Sequence, residues 1–161
     1  MNNMRRGFTM IELIFVIVII GILAAVAIPK LSATRDDATI STVVANVRTV
    51  VEDAKNYYVS QGETRYDAAK VLDVTDVPLF TNATCSTQAS ISTDWAATSA
   101  TTFYICDRVN GDNIVQLDAN LTDLKVTATS TTGTVPTAVH GDAVFKSLAK
   151  THKLGGVSVV R

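Results

Sequence analysis

Residues 7–29 read GFTMIELIFVIVIIGILAAVAIP, and this stretch decides what kind of molecule the rest of the chain can form. No charged residue occurs from Leu13 to Pro29. Phe8 to Ile28 is about 20 residues long. At about 1.5 Å of rise each, a helix of that length crosses a hydrocarbon core of about 30 Å. Arg5 and Arg6 stand just before the apolar run, and by the positive-inside rule they hold that end in the cytoplasm. The segment reads as a single membrane span.

Three readings compete for it. The first is a conventional secretory signal peptide, with Arg5 and Arg6 as its basic start and Ala25-Val26-Ala27 as a small-residue cleavage pattern. The second is a passive transmembrane anchor. The third is a short leader, residues 1–7, cut after Gly7 so that the apolar segment is retained. Glu12 separates them. A carboxylate within an apolar helix costs about 2.5–3.5 kcal/mol on insertion scales, and neither a disposable signal nor a passive anchor has a use for that cost. A subunit that packs against copies of itself does, if an opposite charge arrives from a neighbour. Cleavage after Gly7 leaves the α-amine of Phe8 as such a charge. A plainer alternative is that Glu12, four residues into the segment, sits at the headgroup level.

Beyond Pro29 the pattern changes from apolar all round to one-sided. Ile40, Val43, Val44, Val47, Val51, Ala54 and Tyr58 recur at steps of three and four, one stripe of an amphipathic helix. Arg35, Asp36, Arg48, Glu52 and Lys55 fall mostly off that stripe, and Gly62 is a stop signal. Phe8 to Gln61 can thus be one helix, about 80 Å long if continuous. A signal peptide gives no reason for a helix to continue past its cleavage site.

The string Gly7-Phe8-Thr9-Met10-Ile11-Glu12-Leu13, preceded by Arg5-Arg6 and followed by the apolar run to Pro29, closely resembles the N-terminal motif of type IV pilins and type II secretion pseudopilins. The resemblance is close over about 30 residues and extends to about residue 60 by architecture. It implies cleavage between Gly7 and Phe8 by a prepilin peptidase and N-methylation of Phe8. It also implies pairing of Glu12 with the Phe8 amine of an adjacent subunit. The implied localisation is the inner membrane, crossed once with the N-terminus cytoplasmic, followed by a periplasmic or cell-surface filament. The implied partners are copies of the same chain, inner-membrane lipids and assembly-platform proteins. The expected organisation is a leader at 1–7, a membrane and filament-core helix at 8–29, its amphipathic continuation at 30–62, and a globular head at 63–161. The expected function is structural, in a pilus or pseudopilus. The rival is a periplasmic binding domain exported by a conventional signal peptide. Pro29 lacks an N–H and crowds the carbonyl of Ala25, and Gly21 weakens the helix two turns earlier. The segment between them is expected to kink or open.

The remainder is one modest domain of a 161-residue chain with a formal net charge of −1, which gives no electrostatic reason to expect nucleic acid. A short helix is expected over Tyr66 to Leu72 and loop over Cys85 to Ala100. Strands are expected over Phe103 to Asp107, Ile114 to Leu117 and Leu124 to Thr129, with a turn at Asn110-Gly111. Asp142 to Thr151 has helical character, and Val157 to Val160 reads as a last strand. The expected fold is α+β: a long helix packed on a small antiparallel sheet, as the pilin resemblance also implies.

The two cysteines, Cys85 and Cys106, form no CxxC. In an exported chain they suggest one disulfide, closing a loop of about 20 residues and worth about 3 kcal/mol. No GxSxG, P-loop or HExxH is present, so no catalytic or metal residues are expected and the chain is not read as an enzyme. Asp107, Asn110, Asp112 and Asn113 resemble a calcium loop only loosely, without EF-hand spacing, and no cofactor is expected. Lys146, Lys150, His152 and Lys153 form a small basic cluster. Such a cluster more often complements a helix dipole than touches DNA. Asn82 and Asn120 lie in N-x-T sequons, and Asp118 stands two residues before Asn120. Asn120 is therefore the better candidate glycan acceptor, in a species carrying a periplasmic oligosaccharyltransferase.

Overall fold

The computed structural model describes residues 8–96, 100–107, 111–129 and 133–155. Helix α1 covers Met10–Gln61. The chain divides into two compact units, one ending at Asp37 and the other beginning at Ala38. The second unit thus includes the amphipathic end of α1 together with everything that follows.

The first unit is helix with its apolar side chains outward. Phe8, Ile11 and Ile28 are 87%, 76% and 67% exposed. In the second unit, α1 buries Val43, Val47, Val50, Val51 and Ala54, with Ile40, Val44, Tyr57 and Tyr58 packed at the margin. Val50 joins the stripe read from the sequence because it neighbours Val47 and Ala54 on the helix surface. Gly62 takes φ 79, a left-handed conformation that glycine adopts without steric cost, and its N–H donates to the Tyr58 carbonyl at 2.9 Å.

The single short helix expected over Tyr66 to Leu72 is instead two, α2 Glu63–Asp67 and α3 Val71–Val74. The break lies at Lys70, which is extended (φ −93, ψ 162). Its N–H donates to the Asp73 carboxylate at 3.0 Å, and its ammonium pairs with Asp94. Pairing with the loop at Asp94 takes precedence over continuing the helix. Residues 75–96 form neither helix nor strand but are anchored. Phe80 bridges Tyr104 and Gln88. Trp95 is fully buried, stacked on Phe103 with ring centroids 5.5 Å apart, and its indole N–H donates to the Tyr66 hydroxyl.

Four antiparallel strands follow in spatial order β1-β2-β3-β4: Thr101–Cys106, Asn113–Ala119, Asp123–Ala128 and Thr151–Lys153. Phe103, Leu117 and Val126 stand in register across the first three. With Ile105, Val115, Ala119 and Leu124 they form the sheet's alternating buried face, and Ile114 at the start of β2 is buried as well. The β1–β2 turn keeps Gly111 at φ 73, while Asn110 lies outside the described residues. Two helices intervene before β4: α4 Thr134–Gly141 and α5 Ala143–Leu148. Asp142 caps α5 by accepting the N–H groups of Val144 at 2.8 Å and Phe145 at 2.9 Å. The helix expected to run to Thr151 ends at Leu148 because Thr151 to Lys153 pair with Lys125 to Asp123 as β4. Residues Val157 to Val160, expected as a strand, lie outside the described residues.

Candidate functional site

The start of α1 is a capping box. Thr9 stands before the first helical residue, and Glu12 is the third residue of the helix. The Glu12 carboxylate accepts the Thr9 N–H at 2.9 Å and the Thr9 hydroxyl at 2.7 Å, and the Glu12 N–H lies 3.4 Å from the Thr9 hydroxyl oxygen. A reciprocal Thr-x-x-Glu arrangement satisfies two N–H groups that a helix start otherwise leaves without partners. This use of Glu12 was legible in the sequence as Thr9-x-x-Glu12, a signal masked by the apolar context that draws attention to the charge alone. In the single chain, then, Glu12 is held by its own backbone at the exposed end of an apolar helix. Phe8 is next to it, and Gly7, Arg5 and Arg6 lie outside the described residues.

Helix α1 passes through both Gly21 and Pro29. Open space surrounds the Cα of Gly21, with nothing within 4 Å of where a Cβ would stand.

Cys85 and Cys106 are joined by a disulfide with Cα atoms 6.0 Å apart. It ties the loop after Phe80 to the end of β1, next to the buried Asp107. The Asp107 N–H donates to the Asp112 carbonyl, and the Asn113 amide to the Ala83 carbonyl. Among the described residues no three His, Cys, Asp or Glu side chains converge as a metal site. The two sequons differ in their surroundings. The Asn82 side chain is occupied, accepting from the Ser86 and Thr87 N–H groups and donating to both of their hydroxyls. Asn120 lies half-exposed between β2 and β3, with its backbone N–H bonded to the Asp123 carbonyl.

Of the basic cluster read from chain neighbours, Lys150 and His152 stay together while Lys153 turns to the sheet edge. Lys153 pairs with Asp123 at 2.7 Å. His152 is buried, one ring nitrogen 2.8 Å from the Leu148 carbonyl. Burial holds its pKa below the ordinary histidine value, and Lys55 and Lys150 push the same way. Lys55 lies about a hundred residues earlier in the chain, so local sequence could not have placed it there.

Residues 2–28 match the prokaryotic N-terminal methylation motif. A fimbrial protein of Neisseria meningitidis is 37% identical over 79 residues, 48% of this chain and 46% of that protein. The type IV wide pilus major component of Thermus thermophilus is 38% identical over 69 residues, covering 43% of this chain and 53% of its own. The type II secretion system core protein G of Klebsiella michiganensis is 41% identical over 54 residues, covering 34% and 37%. The chain spans about half, or less, of the length of these relatives. No solved structure matches it.

Proposed function

We propose, from an N-terminal methylation motif carried on an apolar helix, that the chain is a structural subunit of a type IV pilus or type II secretion pseudopilus, rather than an enzyme. The observation that carries this reading is the start of α1. A carboxylate stands in the first turn of a helix whose apolar side chains are exposed around it. The subunit first sits in the inner membrane, N-terminus inward, because one helix of the described chain is long and apolar enough to cross. A prepilin peptidase cuts between Gly7 and Phe8, and Phe8 is N-methylated. The exposed apolar helices then pack against one another in a filament core, which removes their surface from lipid and water alike.

Within the filament, Glu12 exchanges its Thr9 partners for the Phe8 amine of a neighbour, a charged donor in place of neutral ones. Opening of α1 between Gly21 and Pro29 belongs to that assembled state, where neighbouring helices replace the lost backbone bonds. A conventional signal peptide fits less well, because α1 continues for more than thirty residues past Ala27. The intact mass of the mature protein tests the reading. A chain beginning at Phe8 and carrying one methyl group is expected. A chain beginning near Ile28 would mean an exported soluble domain.

A further inference from the structure

A cavity of about 370 Å³ opens between the amphipathic part of α1 and the corner where α5 leads into β4. Its lining includes the apolar Val51 and Leu148 and the polar Arg48, Glu52, Lys55, Lys150 and His152. Only one of the cations is neutralised: Arg48 pairs with Glu52 at 2.8 Å. Lys55 and Lys150 join no ion pair among the described residues. The chain as a whole is slightly acidic, so two unpaired lysines facing one buried histidine across a concave wall are a local concentration of positive charge that the overall composition does not explain.

We propose that this cavity binds the terminal phosphoryl group of a small soluble phosphate or diphosphate. Two ammonium groups and a histidine match a multiply charged oxyanion better than a single carboxylate, because each phosphoryl oxygen accepts a charge-assisted bond. His152 has one ring nitrogen committed to the Leu148 carbonyl. The other becomes a second donor on protonation, and an anion between Lys55 and Lys150 favours that protonated form. Anion and proton therefore bind together. The charged groups facing His152 are Arg48, Glu52 and Lys55 from α1 and Lys150 from the α5–β4 turn. Its strand neighbour Lys153 is held by Asp123 at the sheet edge.

The full chain in detergent micelles, titrated calorimetrically with sulfate and with pyrophosphate, tests this. Sulfate keeps its charge from pH 5 to pH 8, so any pH dependence belongs to the protein. Saturable binding is expected, tighter for pyrophosphate. Sulfate binding should be severalfold stronger at pH 5 than at pH 8. Lys55→Gln and Lys150→Gln should each weaken it about tenfold, the loss of one charge-assisted contact. Lys125→Gln, on the exposed side of β3, should leave it unchanged. Lys150 is exposed and Lys55 half-exposed, and neither belongs to the apolar core, so their replacement leaves the fold intact, which circular dichroism checks. Absence of saturable binding, equal affinity at both pH values, no preference for pyrophosphate, or indifference to Lys55→Gln and Lys150→Gln would each overturn the proposal.

Discussion

Tyr66 shows how one residue connects the head's packing to its chemistry. Its ring meets Tyr58 edge-on at 5.3 Å and Trp95 at 6.4 Å, and its hydroxyl receives the buried indole N–H. Burial pushes its pKa up to about 12 from the ordinary 10. The folded state thus disfavours the phenolate, whereas the unfolded chain ionises near pH 10. Stability carried by the neutral phenol is complete below pH 10 and is lost as pH rises toward 12, a loss of about 2–3 kcal/mol. Denaturant unfolding at pH 7 and pH 11 should reveal about half of that decline in the wild type. Tyr66→Phe should flatten it, while costing about 1–3 kcal/mol at pH 7 because the Trp95 N–H loses its acceptor. An unchanged alkaline decline in Tyr66→Phe would show that the phenol is not its source. Nothing local in the sequence announces the Tyr66–Trp95 pair: the partners are 29 residues apart and join a short helix to a loop.

At the scale of elements, the disulfide closes the least patterned part of the head. Residues 75–96 have no helix or strand of their own, and the Cys85–Cys106 bond fixes them to β1 across a sequence separation of 21. Replacing both cysteines by serine should lower unfolding stability by about 3 kcal/mol, chiefly by freeing the unfolded chain. Reductant should lower the wild type by a similar amount and leave the double variant unchanged. A denaturation midpoint insensitive to reductant would contradict this. How much was legible followed the length and regularity of each element. Helix α1 announced itself through a sustained 3.6-residue period, and β1 to β3 through alternation and the Gly111 turn. Helix α4 did not, because it is eight residues long, carries Pro136, follows Gly133 and ends on Gly141, and its proline and glycines read as breakers. Strand β4 is three residues long, too short for any period, and exists through its pairing with β3. The cavity beside it was hidden for a related reason, since only the tertiary fold brings Lys55 and Lys150 to one lining.

At the scale of the whole molecule, the two units divide the work between them. The unit ending at Asp37 exposes an apolar helix that has no place in water, and the unit beginning at Ala38 has a closed core of its own. That division fits a subunit first held by lipid and then by copies of itself, and the decisive residue is Glu12. Its carboxylate caps α1 in the single chain, so loss of assembly in Glu12→Ala alone would confuse a lost cap with a lost charge. Glu12→Gln resolves the two, because glutamine keeps the oxygen that serves a capping box and removes the charge. Leaving the neighbour's amine buried without its partner should cost about 3–5 kcal/mol at each subunit addition. The measurement is the yield of chain in sheared filaments against membranes, for wild type, Glu12→Ala and Glu12→Gln. The expected result is wild-type chain in the sheared fraction and both variants processed, retained in the membrane and absent from filaments. Wild-type filament yield from Glu12→Gln would mean that Glu12 serves α1 only as a cap and that subunits do not join through its charge.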